Sequence, residues 1–207
     1  MVEVVRAQTT IRLSGLRHEP NCEPRYANAM KYLALLRGIN VGGNNKVAMS
    51  ELRACFERAG FTGVSTYINS GNIFFESDVI DIVDLVQRCE GAIEGTFGFA
   101  VGVTVISQDE YKDAMQHAPS WWADGTLETR NDALFVIPPT TTQEVLDELA
   151  KKTSRVDRLD SHGQVVFWTL PMADYSKSVV PKIVGTPIYK RITIRSSTTA
   201  KKLLGLF

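Results

Sequence analysis

The strongest constraint in this sequence is the order in which its hydrophobic periods change. A period of two marks a half-buried strand, and a period near 3.6 marks a helix. Lys31–Arg37 is an apolar strand run, and Gly38–Lys46 is a Gly/Asn loop. Ser50–Ala59 carries Leu52, Cys55, Phe56 and Ala59 on one helical face. Ser50 is the expected N-cap there, and Gly60 the residue that ends the helix. Val64–Asn69 and Asn72–Glu76 read as strands joined by a two-residue Ser70-Gly71 turn. Ile80–Phe97 is a helix with Ile82, Leu85, Val86, Cys89 and Ile93 in a stripe. Ala100–Ile106 is a Val-rich strand. The order is β-α-β-β-α-β, that of the split β-α-β or ferredoxin-like unit.

The order then recurs. A connecting helix, Gln108–His117, leads into a polar loop holding Pro119, Trp121, Trp122 and Gly125. Ala133–Ile137 reads as a strand and Gln143–Lys151 as a helix. Arg155–Leu159 and Val165–Thr169 read as a hairpin turned at Asp160-Ser161-His162-Gly163. Ser176–Val184 reads as a short helix interrupted by Pro181, Arg191–Arg195 as a strand and Thr199–Leu204 as a terminal helix. The expected fold class is α+β, a tandem pair of ferredoxin-like subdomains. The first spans 30–107, a connecting helix and loop spans 108–131, and the second spans 132–207. The repeat is one of topology, not of residues.

Residues 1–29 differ from the rest. They hold Pro20 and Pro24 and one short strand-like run, Thr10–Leu13, before Met30 opens the first evident strand. They lack the apolar stretch of a secretory signal. The expectation is a poorly ordered N-terminal extension, either an upstream start or an added leader.

Composition narrows the function classes. The 207 residues carry 23 Lys+Arg against 23 Asp+Glu, a formal net charge of +0. A protein that holds nucleic acid by charge alone needs a basic excess. Nothing approaches the run of about 20 apolar residues of a membrane helix. Three scattered cysteines, Cys22, Cys55 and Cys89, fit reduced thiols and a cytoplasmic location. The three histidines, His18, His117 and His162, show no metal-ligand spacing, so neither a metal nor a cofactor is implied. Asp160-Ser161-His162 has the residue types of a triad, but adjacency in a turn is not triad geometry.

Three segments carry polar groups at strand ends. In Arg37-Gly38-Ile39-Asn40-Val41-Gly42-Gly43-Asn44-Asn45-Lys46, glycines let backbone N–H groups approach an anion. Arg37, Asn40, Asn45 and Lys46 are its candidate binding residues. The competing reading is a loop whose Gly and Asn serve positive φ. In Thr66-Tyr67-Ile68-Asn69-Ser70-Gly71-Asn72, the candidates are Tyr67, Asn69, Ser70 and Asn72, against plain turn geometry. In Arg191-Ile192-Thr193-Ile194-Arg195-Ser196-Ser197-Thr198-Thr199, the candidates are Arg195 and Thr199, against ordinary helix capping.

The first two segments, with Met49, Leu52 and Gly60-Phe61 between them, resemble the domain of unknown function 1697 family. The resemblance covers about residues 30–206. It implies a bacterial, cytosolic α+β protein of two similar subdomains whose activity is not established. The family's C-terminal signature is Arg-Asn-Trp-Asn-Thr after a strand. Here Arg195 and Thr199 match it, while Ser196, Ser197 and Thr198 replace Asn, Trp and Asn.

The leading functional reading is a binder of a small anionic or nucleotide-like ligand, provided the three segments converge. A second is an enzyme acting on phosphoryl or acyl groups, with Tyr67 or Ser70 as the available hydroxyl. A third is RNA or single-stranded DNA binding on an open sheet, for which Asn72-Ile73-Phe74-Phe75 is a faint aromatic signal. The sequence leaves oligomeric state open.

Overall fold

Strand β1, Met30–Leu36, is buried over its last five residues without alternation. A continuous apolar strand requires cover on both of its faces, and the rest of the fold supplies it. A computed structural model describes residues 29–125, 128–152, 155–178 and 180–207. Almost all of the expected N-terminal extension lies outside the described residues, as do His18 and Cys22.

Helix α1 is Met49–Arg58 and buries Leu52, Cys55 and Phe56. Its N-cap is Ala48, with no side-chain cap, so the Ser50 cap is corrected: the helix begins before Ser50. Strands β2, Thr62–Tyr67, and β3, Asn72–Ser77, pair Tyr67 with Asn72. The turn is therefore the four residues Ile68-Asn69-Ser70-Gly71 and not Ser70-Gly71 alone, because Ile68 leaves the strand at φ 49°. Helix α2, Ile82–Phe97, is capped by the Asp81 side chain, which accepts from the N–H groups of Val83 and Asp84. Strand β4, Val103–Ser107, completes a four-stranded antiparallel sheet of order β2-β3-β1-β4.

Helix α3, Gln108–Gln116, follows at once through a reciprocal Ser107–Glu110 capping box. Then come β5, Thr129–Val136, α4, Thr142–Ala150, β6, Arg158–His162, and β7, Val165–Pro171. His162 pairs with Val165, so this hairpin turns at Gly163-Gln164, two residues beyond the centre of the expected turn. The expected Ser176–Val184 helix is instead a 3-10 segment, Met172–Lys177, and a single turn α5, Val180–Ile183. A 3-10 turn at Ile188–Arg191 leads into β8, Ile192–Ser196, and helix α6, Ser197–Leu204. The second sheet has the order β6-β7-β5-β8. The protein is thus a mixed α+β fold with two four-stranded antiparallel sheets.

Period-two alternation sends neighbouring residues of each strand to different cores. Tyr32, Ala34 and Leu36 enter a core with α1 and α2, while Leu33 and Leu35 enter a central core with Tyr111, Phe135 and Phe167. Leu134, Val136, Val166 and Trp168 build a third core with Val145 and Leu149 of α4. Helices α3 and α6 contribute to the central core through Tyr111, Ala114, Ala200 and Leu203. Both faces of the central strands β1, β3, β5 and β7 are buried in these cores, so the aromatic signal of Phe74 and Phe75 does not lie on an open sheet. Phe75 stacks on Tyr32 with centroids 5.5 Å apart, and Phe74 meets the edge of Phe207 at 5.0 Å. These aromatics are core residues, not a platform for bases. No helix among the described residues is long and apolar enough to cross a membrane.

The sheets also join end to end. Thr104 of β4 donates to the Val136 carbonyl at 2.8 Å, and Thr193 of β8 donates to the Leu36 carbonyl at 3.1 Å. These threonines hold equivalent places, opposite Leu35 and Phe135. The exchange is reciprocal, and it fixes the end of β1 against the end of β5.

Candidate functional site

The ends of β1 and β8, together with the turn before β3, border one cleft of about 180 Å³. Arg37, Gly38, Ile39 and Val41 line it from the first segment, Ser70 from the second, and Thr193 and Arg195 from the third. Tyr189 closes one side. The three polar segments therefore meet, although up to 159 residues separate the contacts they make.

Arg195 is the centre of this junction. It is only 7% exposed and makes six hydrogen bonds. Its Nε donates to Asn72 Oδ1 at 2.6 Å. Its two Nη groups donate to Thr193 Oγ1 and to the carbonyls of Ile194, Leu36, Ser70 and Gly71. All of these acceptors are neutral. Desolvation without a carboxylate partner lowers the guanidinium pKa to about 10, with Tyr111 opposing weakly. The place equivalent to Arg195 in the first sheet holds Ile106, which faces Leu33 as Arg195 faces Ala133. The two halves thus differ in charge where they otherwise match in hydrogen bonding.

The hairpin is shaped to receive this side chain. Asn72 is fully buried, and its Nδ2 donates to the Tyr67 carbonyl at 2.9 Å and to Ser70 Oγ at 3.1 Å. That fixes the amide so that Oδ1 faces Arg195. Gly71 has φ 73°, and a Cβ there would lie 2.6 Å from Leu36 Cβ and 2.9 Å from Ile39 Cδ1. Only glycine meets both conditions. Ile68 holds a left-handed conformation at φ 49°, a costly one for a β-branched residue, at the exposed hairpin tip.

The loop after β1 is held from within. Asn40 donates to the carbonyls of Val47 and Asn69 and accepts from Val47 N–H at 2.8 Å. Asn45 donates to the Gly38 carbonyl at 3.2 Å. Asn40 thus ties the loop to the hairpin, and both amides serve loop geometry. Arg37 is half-buried. Its Nε donates to the Tyr189 carbonyl at 2.9 Å, and its guanidinium carbon lies 5.0 Å from the centroid of the Tyr189 ring. Its terminal nitrogens make no hydrogen bond among the described residues.

Of the ten nominated residues, Arg37, Ser70 and Arg195 line the cleft. Asn40, Asn45, Asn69 and Asn72 lie behind the lining, where they hold the loop and the hairpin by hydrogen bonds. Tyr67 is partly buried against the central core, Lys46 is exposed on the loop, and Thr199 sits in the first turn of α6. There Ser196 Oγ accepts from Thr199 N–H at 3.3 Å, an N-cap. Sequence reasoning missed Tyr189, which lies in a Pro187-Ile188-Tyr189-Lys190 run that carries no motif. Thr193, which shares a strand face with Arg195, also lines the cleft.

A second cluster lies outside the cleft. Asp113, His117 and His162 place a carboxylate and two imidazoles together, with donor atoms all within 4.8 Å. Asp113 lies on α3 and His117, four residues on, is its C-cap, a spacing visible in the sequence. The approach of His162, 49 residues beyond Asp113, is not.

Known proteins resemble this chain along most of its length. The conserved bacterial protein SP0830 from Streptococcus pneumoniae is 31% identical, with a TM-score of 0.77 over 86% of this chain and 98% of that one. No curated protein is significantly similar. The family model described as "Protein of unknown function (DUF1697)" matches residues 30–167. The chain therefore belongs to the DUF1697 family.

Proposed function

We propose that this protein binds a small anionic or nucleotide-like ligand, with the anionic group seated in the cleft between the two sheets. The observation that carries the reading is the charge of the lining. Two arginines, Arg37 and Arg195, border the cleft, and among the described residues no carboxylate does. Arg195 has its donors committed to the protein, so its part is to hold the junction and supply positive potential. Arg37, with uncommitted terminal nitrogens and a ring beneath it, is the residue that makes direct contact.

The cleft volume sets the size of the group. About 180 Å³ falls below the roughly 300 Å³ of an ordinary small-molecule pocket. It suits a phosphoryl or carboxylate group, with the rest of a larger ligand lying outward past exposed Val41. The described lining holds no histidine, lysine or carboxylate to serve as a general base, so binding is favoured over turnover. On the same footing, we read residues 30–107 and 132–207 as paired ferredoxin-like subdomains, a reading supported by their matching strand orders.

A thermal-shift panel of inorganic phosphate, nucleotides and sugar phosphates tests this. A ligand at 100 times its Kd stabilises by about 2.7 kcal/mol, which raises Tm by about 5–11 °C at this size. The shift is expected to vanish in Arg37→Ala. No shift across the panel, or an undiminished shift in Arg37→Ala, overturns the proposal.

A further inference from the structure

We propose that Asp113, His117 and His162 form a site for a divalent transition-metal ion of the zinc class. The site clamps the connecting helix α3 to the edge strand β6 of the second sheet. It is separate from the interdomain cleft and does not depend on it.

The residues come from two elements. Asp113 lies in the last turn of α3 and His117, four residues on, is its C-cap, whose backbone N–H still donates to the Asp113 carbonyl, so the two side chains stand on the same side of the helix end. His162 ends β6 immediately before Gly163, whose φ of 56° turns the hairpin. His162 Nε2 lies 2.7 Å from Asp113 Oδ2, and His117 Nδ1 lies 3.1 Å from Asp113 Oδ1. The imidazole rings stack with centroids 4.3 Å apart and planes inclined by 10°. One carboxylate thus faces both rings, one at each oxygen, and His117 Nδ1 also lies 2.9 Å from the Asp113 backbone carbonyl.

The donor chemistry selects the class of ion. Two imidazoles and a carboxylate suit zinc and its first-row neighbours, whereas calcium and magnesium prefer oxygen ligands throughout. Zn–N and Zn–O bonds near 2.0–2.2 Å require donors roughly 3.3–3.5 Å apart. The two contacts, 2.7 and 3.1 Å, are shorter than that and the three donor atoms all lie within 4.8 Å of one another, so side-chain rotations bring them to the spacing of an ion. Three protein ligands leave a position for water, and the partial exposure of all three leaves the site open to exchange.

Bridging matters more than affinity alone. β6 is an edge strand, paired only with β7, and α3 belongs to the segment that joins the two sheets. An ion held by both binds only the folded arrangement and so stabilises it.

The test uses the full chain without an affinity tag, freed of metal by a chelator and dialysed. Zn2+ is titrated by calorimetry, and Co2+ by visible absorption, which reports the ligand field directly. The expected result is one ion per chain in the His/carboxylate site, a rise in Tm with Zn2+, and no comparable effect of Ca2+ or Mg2+. His162→Ala and His117→Ala should each weaken Zn2+ binding at least about tenfold. His117 is exposed and His162 is half-buried at the end of β6, and neither belongs to a hydrophobic core, so the metal-free Tm of each variant should stay close to that of the parent and exclude a folding defect. Absence of saturable Zn2+ or Co2+ binding overturns the proposal. So does binding that His162→Ala leaves unchanged.

Discussion

Replacing Arg195 with Met removes a cation buried between the two halves, and the structure allows the loss to be estimated. Six hydrogen bonds disappear, but not every acceptor is stranded. The Leu36 carbonyl keeps Thr193 Oγ1, and the Gly71 carbonyl keeps the Leu36 N–H at 2.8 Å. Asn72 Oδ1 and the Ser70 carbonyl lose their donor. Each stranded buried acceptor costs about 1–3 kcal/mol, so the gross loss is about 2–6 kcal/mol. Relief from burying an unpaired charge returns part of this. The expected net destabilisation is about 2–4 kcal/mol.

A double-mutant cycle isolates the central contact. Asn72→Val places at this position the residue found at its equivalent, Val165, which opens β7 as Asn72 opens β3. With Asn72 gone, Arg195→Met no longer strands its amide oxygen. The double variant should therefore lose less than the sum of the singles, by about 1.5–3 kcal/mol for a hydrogen bond to a charged group. Urea unfolding followed by tryptophan fluorescence reads this, because Trp122 and Trp168 are buried in different cores. Equal m-values would confirm that stability and not cooperativity has changed. A loss below about 0.5 kcal/mol for Arg195→Met, the range of ordinary surface changes, would refute the reasoning. Strict additivity of the two singles would refute the claim that they act together.

Two further outcomes follow from local geometry. Gly71→Ala should cost at least about 3 kcal/mol in thermal or urea unfolding, since it combines a strained φ with a 2.6 Å contact to Leu36 Cβ, whereas Gly43→Ala, with φ 82° and open space around it, should cost only about 1 kcal/mol. Burial lifts the Asp132 carboxyl above its ordinary range, with Arg130 Nε at 2.7 Å pulling the other way. The folded state therefore holds that proton more tightly than the unfolded state. Relative to Asp132→Asn, the parent should gain stability as pH falls toward the ordinary value of 3.8 and lose it as pH rises through the raised folded value. An Asp132→Asn difference that stays flat between neutral pH and pH about 4 would contradict the assignment.

Much of the fold was legible locally. The change of period from two to 3.6 located strands and helices because side-chain direction repeats with backbone geometry. The errors fell at turns. Ile68 looks like a strand residue by its apolar, β-branched side chain, yet it takes a left-handed turn conformation that its neighbours impose. His162 falls in a turn by local pattern but pairs with Val165, because strand register depends on the partner strand. Ser50 has the side chain of a cap, but α1 already starts at Met49.

The candidate site divides along the same line. Sequence alone determined that Arg37, Asn40, Ser70, Asn72 and Arg195 stand at strand ends, and that Thr193 and Arg195 share a face opposite Ile192 and Ile194. Periodicity settles which residues share a face, but it does not say what covers that face. Only the tertiary structure decided that Arg195 points into the other half, where Asn72 and three backbone carbonyls of the first half absorb its donors. Only it brought Tyr189 beneath Arg37 and His162 beside Asp113. The physical reason is range. Helical and strand periods arise from neighbours a few residues apart, whereas these contacts join residues 49 to 159 positions apart and exist only once two sheets have packed.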